Sequence, residues 1–153
     1  RLPGVPLSVR VADCLPVLFA EGRGSVVGAA HAGWRGLAAG VLEATVVAMD
    51  APAHAIVAWI GPGIGPRAFE VRDDVRDAFL VHDRGSAAHF VPHSSGTWLA
   101  DLPALARRRL AAIGVARVGG GGLCTYADAG RFHSFRRDRT ACRLGAFVWR
   151  QAP

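Results

Sequence analysis

Two side chains of this sequence, Cys14 and His31, have the atom types that a reactive site needs. A thiolate is a nucleophile and a metal ligand, and an imidazole can act as its base or as a second ligand. The apolar runs 16–20 and 25–30 separate the two residues and are typical of strands, joined by a turn that contains two glycines. Because a hairpin folds back on itself, we expect Cys14 and His31 to meet at one end of it.

Three interpretations of this pair follow from the residue types alone. Cysteine and histidine are often packed structural groups without chemistry. A thiol beside an imidazole is also the nucleophile and base of cysteine hydrolases and deamidases. Finally, a thiolate and an imidazole form half of a zinc site, which needs a third protein ligand and an open position for water.

The segment after His31 is predicted to carry the pair into a helix. Apolar residues recur at spacings of three and four over 37–49, which predicts one amphipathic helix ended by Asp50 and Pro52. Arg35 then lies just before a helix N-terminus, where unpaired N–H groups favour an anion.

The rest of the chain mixes strands and helices. The predicted elements are strands at 5–11, 55–60, 67–71, 115–118 and 144–149 and helices at 73–81 and 101–113, with a glycine–proline loop at 61–66 and a polar surface loop at 82–95. The last strand is predicted to be buried. A solvated helix face is predicted for Arg107, Arg108 and Arg109. The hairpin and the terminal strands favour an α+β fold with a mixed or antiparallel sheet.

Composition narrows the class of protein. A chain of 153 residues is predicted to form one domain, and all eighteen of its basic residues are Arg, which give a formal charge of +6. These arginines are scattered, so we expect no nucleic-acid partner and favour a pocket for an anionic small molecule. No apolar run reaches membrane-spanning length, so we expect no membrane partner. Three cysteines without a CxxC pair favour a reducing, cytoplasmic location.

Five motifs in order carry a family resemblance. They are Ala-Asp-Cys-Leu-Pro-Val at 12–17, His-Ala-Gly-Trp-Arg-Gly at 31–36, Ile-Gly-Pro-Gly-Ile-Gly-Pro at 60–66, Cys-Thr-Tyr at 124–126 and Phe-His-Ser-Phe-Arg-Arg-Asp at 132–138. Over about 11–149 the sequence resembles the YfiH-like (laccase-domain) family. The resemblance implies an α+β fold of stacked layers with a mixed sheet, distantly similar to the catalytic domain of cytotoxic necrotizing factor.

The resemblance also implies an activity. Members of the family have been described as polyphenol oxidases and as purine nucleoside phosphorylases with adenosine deaminase activity. We therefore expect zinc-dependent phosphorolysis of adenosine, inosine or methylthioadenosine and hydrolytic deamination of adenosine. The expected cofactor is zinc, with copper as the alternative, and the expected partners are a purine nucleoside and phosphate.

The family's metal ligands carry over in part. The Cys of its Ala-Asp-Cys motif corresponds to Cys14, and the His of its His-Ala-Gly-Trp motif corresponds to His31. Its first ligand is a His from an earlier Val-His-Gly motif, which has no counterpart in this sequence. His133 is a weaker candidate to replace that ligand. We therefore expect residues 1–153 to be one catalytic domain that lacks its N-terminal portion.

Further site residues are expected around this pair. Arg35 and either Arg136 or Arg137 are candidates for holding phosphate, and the alternative for each is a surface role. Asp13 is a candidate proton carrier or an orienting group for a metal ligand.

Two more residues complete the candidate set. Trp34 is a candidate for stacking on a purine ring or for core packing. Cys124 follows a glycine run and either faces the substrate pocket or is packed.

Three other functions stay open from the residues. A copper polyphenol oxidase would need His-rich copper centres, and the six His here include no His-x-His pair. A metal-free Cys–His amidase or deamidase can be distinguished from a metal-dependent enzyme by whether a chelator or a thiol-alkylating agent abolishes its activity. Stoichiometric metal with a perturbed Cys14 thiol would count against a non-catalytic binding domain.

Overall fold

The computed structural model describes residues 2–151. Its strands in chain order are β1 (Leu7–Val11), β2 (Leu15–Glu21), β3 (Val27–Ala32), β4 (Ile56–Ile60), β5 (Glu70–Val71), β6 (Phe90–Pro92), β7 (Trp98–Ala100), β8 (Arg117–Gly120) and β9 (Leu144–Val148). Its α-helices are α1 (Trp34–Ala38), α2 (Val41–Met49), α3 (Asp73–Leu80), α4 (Leu102–Ala112) and α5 (Phe135–Asp138), with 3-10 helices at Ala53–Ala55 and Arg84–His89.

Three sheets organise these elements. The central sheet has the order β3-β2-β4-β8, in which β2 is antiparallel to β3 and β4 while β4 and β8 are parallel. β1 pairs antiparallel with β9, and β7 lies between β5 and β6 in a third, antiparallel sheet. The predicted α+β fold with a mixed sheet is confirmed. The likeness to cytotoxic necrotizing factor stays a prediction.

The core lies on one face of the central sheet, against α2. Alternate residues of β2 and β4 point into it, and all of them are essentially inaccessible to solvent: Leu15, Val17, Phe19, Ile56, Ala58 and Ile60. Each large side chain of this kind contributes roughly 1.5–3 kcal/mol by leaving water. Gly28 of β3 permits the close approach of α2, since a Cβ there would lie 3.0 Å from Met49 Sδ.

The single helix predicted over 37–49 is wrong. The chain forms α1 and α2, because Gly40 between them has φ +90° and interrupts the helical backbone. The spacing of apolar residues indicates which side chains face the core, but it does not indicate a change in the backbone angle φ. α1 has only five residues and includes Arg35, so the prediction that Arg35 lies just before the N-terminus of a long helix is wrong.

The loop predicted at 82–95 contains a 3-10 helix and β6. Asp83 caps the 3-10 helix by accepting a hydrogen bond from the Gly85 N–H at 2.9 Å. Phe90 follows it, is 5% exposed, and packs with its ring centroid 6.0 Å from that of Phe79. Because the residues around Phe90 are polar, the local pattern did not indicate that its side chain is buried.

The three arginines of α4 have specific partners, so the prediction of a plain solvated face is wrong. Arg107 donates to the carbonyls of Val118 and Gly120 at 2.7 and 2.6 Å. Arg108 forms an ion pair with Asp83, and Arg109 donates to Glu43 Oε1 at 2.6 Å. The arginine run therefore attaches α4 to β8, to the 3-10 helix cap and to α2.

The last strand is not fully buried, which corrects the prediction for 144–149. β9 pairs with β1 in a sheet of two strands, so only alternate residues face the central sheet. Phe147 and Trp149 are 57% and 54% exposed. The other predicted strands occur with shifted ends, and the strand expected at 67–71 is reduced to β5.

Across residues 2–151, no helix has the length and apolar content needed to cross a bilayer.

Candidate functional site

The β2–β3 hairpin brings Cys14 and His31 together, as its sequence predicts. Pro16 lies opposite His31 and Leu15 opposite Ala32, so Cys14 comes next to Gly33 at the open end of the hairpin. A Cβ at Gly33 would lie 2.8 Å from Cys14 Sγ and 4.0 Å from His31 Nε2. The sulfur and the imidazole nitrogen therefore line one small space, which exists because residue 33 is glycine.

The two side chains differ in environment. His31 is exposed, whereas Cys14 is half-buried. Burial, followed by the charge of Asp13, raises the pKa of the Cys14 thiol, and the charge of Arg143 only partly opposes this. An activated cysteine nucleophile needs a lowered pKa. The environment of Cys14 therefore disfavours the metal-free nucleophile interpretation.

Asp13 connects the turn that carries Cys14 to two distant segments. Its Oδ1 accepts a hydrogen bond from the Thr125 hydroxyl at 2.7 Å, and its Oδ2 accepts one from the Arg136 backbone N–H at 2.7 Å. Its carbonyl accepts from the Ile64 N–H at 2.8 Å. These bonds hold Asp13 at φ +81°, a conformation that non-glycine residues rarely adopt. The geometry suits a residue that positions Cys14, and its role as proton carrier stays a prediction.

Arg137 uses all five of its guanidinium N–H groups within the protein. Nε and Nη2 donate to the two oxygens of Asp138 at 2.6 and 2.8 Å. Nη1 donates to the carbonyls of Thr125 and Tyr126 at 2.8 and 2.7 Å, and Nη2 also donates to that of Phe132 at 2.8 Å. No N–H group remains for a phosphate. Arg137 therefore holds the loop around Thr125 in place, and its saturated guanidinium disfavours the predicted phosphate contact.

Arg35 and Arg136 retain free donors. The Arg35 guanidinium is exposed and lies 4.4 Å from the centroid of the Trp34 ring. In the described part of the chain it makes no hydrogen bond or ion pair. Within residues 2–151, the Arg136 guanidinium donates one hydrogen bond, from Nη1 to the Glu70 carbonyl at 3.2 Å. Trp34 is partly buried against the core and shares its ring face with Arg35, so packing is its observed role.

Cys124 belongs to a neighbouring space. Its Sγ accepts a hydrogen bond from the Gly65 N–H at 3.2 Å, and it lines a cavity of about 610 Å³. Neither Cys14 nor His31 lines that cavity. Cys124 does face a pocket, as one of its two interpretations held, but this pocket is not the space between Cys14 and His31.

The donor set around Gly33 fits part of a metal site. A thiolate and an imidazole are ligands of zinc and of copper. Among residues 2–151, no three or more His, Cys, Asp or Glu side chains are grouped so as to hold a metal ion, so His133 does not join the pair. All three cysteines are free. Cys14 and His31 thus supply two ligands.

Sequence reasoning missed several supporting residues. Gly33 and Thr125 stand inside recognised motifs, yet neither was assigned a role. Ser134 is 1% exposed and caps α5 by accepting from the Arg137 N–H at 3.2 Å. Serine is a preferred N-cap residue, so Ser134 itself was the available signal for that cap.

Comparison with known proteins identifies relatives over the whole described chain. A family model described as multi-copper polyphenol oxidoreductase laccase matches residues 1–151. A purine nucleoside phosphorylase from Pseudomonas aeruginosa is 51% identical over 151 residues, which are 98% of this chain and 62% of that protein. The purine nucleoside phosphorylase YfiH of Escherichia coli is 51% identical over 96% of this chain and 60% of its own. The chain thus spans about 60% of the length of these curated relatives.

Solved structures agree with this relationship. A Neisseria meningitidis protein superposes with a TM-score of 0.95 at 47% identity, covering 97% of this chain and 61% of its own. YlmD from Geobacillus stearothermophilus gives 0.88 at 32% identity, covering 99% and 59%.

Proposed function

The chain belongs to the YfiH-like (laccase-domain) family, and on that premise we propose that it is part of a zinc-dependent purine nucleoside phosphorylase that also deaminates adenosine. The proposed reactions are phosphorolysis of adenosine, inosine or methylthioadenosine and hydrolytic deamination of adenosine. Relatives named purine nucleoside phosphorylase, at 51% identity over nearly the whole chain, support the first reaction. The observation that carries the site is the convergence of Cys14 Sγ and His31 Nε2 beside Gly33.

Cys14 and His31 would hold the metal ion. Thiolate and imidazole ligands with an open position are typical of catalytic zinc, and copper is the alternative. When bound, zinc supplies a Lewis acid that polarises a substrate oxygen or lowers the pKa of a water molecule. Asp13 keeps the Cys14 backbone in place through its bonds to Thr125, Arg136 and Ile64.

Phosphorolysis needs a cation that holds phosphate. A phosphate oxygen forms a bond to the ribose C1′ while the bond from C1′ to the purine nitrogen breaks, giving ribose 1-phosphate and the free base. Arg35 stands two positions after Gly33 with an unused guanidinium fork, which suits bidentate binding of phosphate. Arg136 is the second candidate, because only one of its guanidinium N–H groups has a described acceptor.

Deamination needs a water molecule at the purine C6. Its oxygen bonds to C6 while a base takes one of its protons; the bond from C6 to the amino nitrogen then breaks as that nitrogen takes up the proton and leaves as ammonia. The Asp13 carboxylate accepts two hydrogen bonds and keeps further lone pairs, so it remains our candidate for this proton. Trp34 would border the purine with its edge, since Arg35 covers a face of its ring.

Two alternatives are distinguished by assays of phenol oxidation and of amide hydrolysis, each with and without a chelator. The description of the matching family model names a polyphenol oxidase, for which phenol oxidation with bound copper is the signature. A metal-free amidase would rely on the Cys14 nucleophile, whose pKa is raised by burial. Chelation should abolish the first activity and leave the second intact.

The test is metal content and adenosine turnover of the full-length protein, with and without phosphate, following inosine and free base. Cys14→Ala is compared with Cys142→Ala, which removes an exposed thiol elsewhere. We expect one zinc per chain and phosphate-dependent base release, both lost in Cys14→Ala and kept in Cys142→Ala. Full activity after metal removal, or no turnover of any purine nucleoside, would contradict the proposal.

A further inference from the structure

The cavity that Cys124 lines is walled by three segments. These are the loop 65–68 after β4, the first turns of α4 over 101–107, and the segment 121–127 after β8. Its volume of about 610 Å³ falls within the range of small-molecule sites. None of the interactions proposed above uses this space.

The cavity is built by the glycine run that ends β8. A Cβ at Gly122 would meet no atom within 4 Å, so that residue opens directly onto empty space. A Cβ at Gly121 would lie 3.4 Å from Pro103 Cβ and 3.6 Å from Arg107 Nη2. Arg107 fixes this wall by donating to the carbonyls of Val118 and Gly120. The space is therefore framed by hydrogen-bonded backbone and by the start of a helix.

The charges around the cavity favour an anion. Arg67 and Arg107 line it together with one acidic residue, Asp101. Asp101 Oδ1 already accepts the Ala104 N–H at 2.9 Å as the cap of α4. Within residues 2–151, the exposed Arg67 guanidinium makes no hydrogen bond or ion pair. Arg67 is thus a free cation at the mouth of the cavity.

The rest of the cavity wall favours a ligand with a flat ring. Most of its side chains are apolar: Pro66, Ala68, Pro103, Ala104, Leu123 and Ala127. Tyr126 adds an aromatic ring that is 40% exposed. Flat apolar groups gain from contact with such a surface, and an aromatic ring can stack on Tyr126.

We propose that this cavity is a second ligand site, which takes a small organic anion with a planar ring. Arg67 binds the anionic group, and the apolar wall with Tyr126 receives the ring. An aromatic carboxylate and a nucleoside monophosphate share this chemistry, and both fit a cavity of this size.

The site has a built-in reporter. Cys124 is half-buried in the cavity wall, with its sulfur held by the Gly65 N–H. A ligand that fills the cavity shields this sulfur from an alkylating agent. Peptide mapping by mass spectrometry reads the modification of Cys124 separately from that of Cys14 and Cys142.

The experiment measures binding of 4-hydroxybenzoate and of AMP to the full chain by calorimetry, with adenosine as the uncharged counterpart of AMP. The variants are Arg67→Ala, which removes the cation, and Gly122→Trp, which fills the space. Arg23→Ala is the matched control, because Arg23 is an exposed arginine in the turn between β2 and β3. Iodoacetamide labelling of Cys124 is followed with and without each probe.

We expect at least one anion to bind and to slow labelling of Cys124. Arg67→Ala should weaken this binding about tenfold or more, as loss of a charge-assisted hydrogen bond does, and Gly122→Trp should abolish it. Arg23→Ala should leave it unchanged. The anion that binds identifies the carboxylate or the phosphate ester as the head group.

The inference fails if neither anion binds or if binding leaves Cys124 labelling unchanged. It also fails if Arg67→Ala and Arg23→Ala give the same affinity. Gly122→Trp is a second, independent test of the same site. If Gly122→Trp does not fold, the comparison of Arg67→Ala with Arg23→Ala decides the outcome. None of these measurements requires metal or turnover, so the outcome is distinct from that of the phosphorylase proposal.

Discussion

The Thr125 hydroxyl donates a hydrogen bond of 2.7 Å to Asp13 Oδ1, across most of the length of the chain. Thr125 is completely buried, and its backbone N–H donates to the Gly63 carbonyl at 2.9 Å. The turn that carries Cys14 is thereby attached to the segment after the glycine run.

Replacing Thr125 with valine keeps the shape and removes the hydroxyl. We expect the free energy of unfolding to fall by about 1–3 kcal/mol, because the partly buried Asp13 carboxylate loses a donor and hydrogen bonds to charged groups are stronger than neutral ones. Urea unfolding measures this change. Thr140→Val, at an exposed position, is the control and should change stability far less; equal losses in the two variants would refute the role given to Thr125.

Gly33→Ala should block the metal site without unfolding the chain. Gly33 has an ordinary φ of −70°, so alanine is not strained there, but its Cβ would come 2.8 Å from Cys14 Sγ. We expect zinc affinity to fall at least about tenfold, a loss of about 1.4 kcal/mol. The control is Gly130→Ala, whose Cβ would meet only Asp128 Oδ1 at 3.9 Å. Unchanged zinc affinity in Gly33→Ala would show that the ion binds elsewhere.

Cys14 should react slowly at neutral pH in the metal-free protein. Burial and the neighbouring Asp13 charge raise its pKa, so its thiolate forms at higher pH than in an unstructured peptide. Iodoacetamide alkylation of Cys14, followed against pH beside a short cysteine peptide, measures this difference. A Cys14 curve at or below the peptide's curve would contradict the described environment.

The same shift predicts a dependence of stability on pH. The folded state disfavours the Cys14 thiolate, so the stability linked to the neutral thiol is complete below the ordinary thiol pKa and is lost as pH rises through the folded value. The metal-free protein should therefore lose more stability than Cys14→Ala between neutral and alkaline pH. Parallel unfolding curves for the two proteins would exclude this linkage.

Arg35 and Arg137 were both predicted to hold phosphate, and we expect their substitutions to have different effects. Arg35→Ala should raise the KM for phosphate about tenfold with little change in thermal midpoint, because Arg35 has no described hydrogen-bond partner in the protein. Arg137→Lys should lower the thermal midpoint, since lysine cannot replace five donors directed at Asp138 and three carbonyls. Arg23→Ala controls for loss of charge. The opposite pattern would reverse the assignment of the two residues.

Local sequence patterns predicted the hairpin well. Two apolar runs and a glycine turn are local features, and they determine that Cys14 and His31 meet. The bonds from Asp13 to Thr125 and Arg136 join residues far apart in sequence, and no spacing rule anticipates them. The break at Gly40 was also missed, because an apolar repeat continued on both sides of it and concealed a change in φ.

The pairing of β1 with β9 has a consequence during synthesis. β1 leaves the ribosome well before β9, its hydrogen-bonding partner at the other end of the described fold. The central hairpin and its helices can form beforehand, whereas β1 waits with unpaired backbone and apolar residues open to other chains. Pairing of β1 with β9 is therefore a late step of this fold for which the nascent chain needs protection, and termination before residue 144 would leave β1 permanently without this partner.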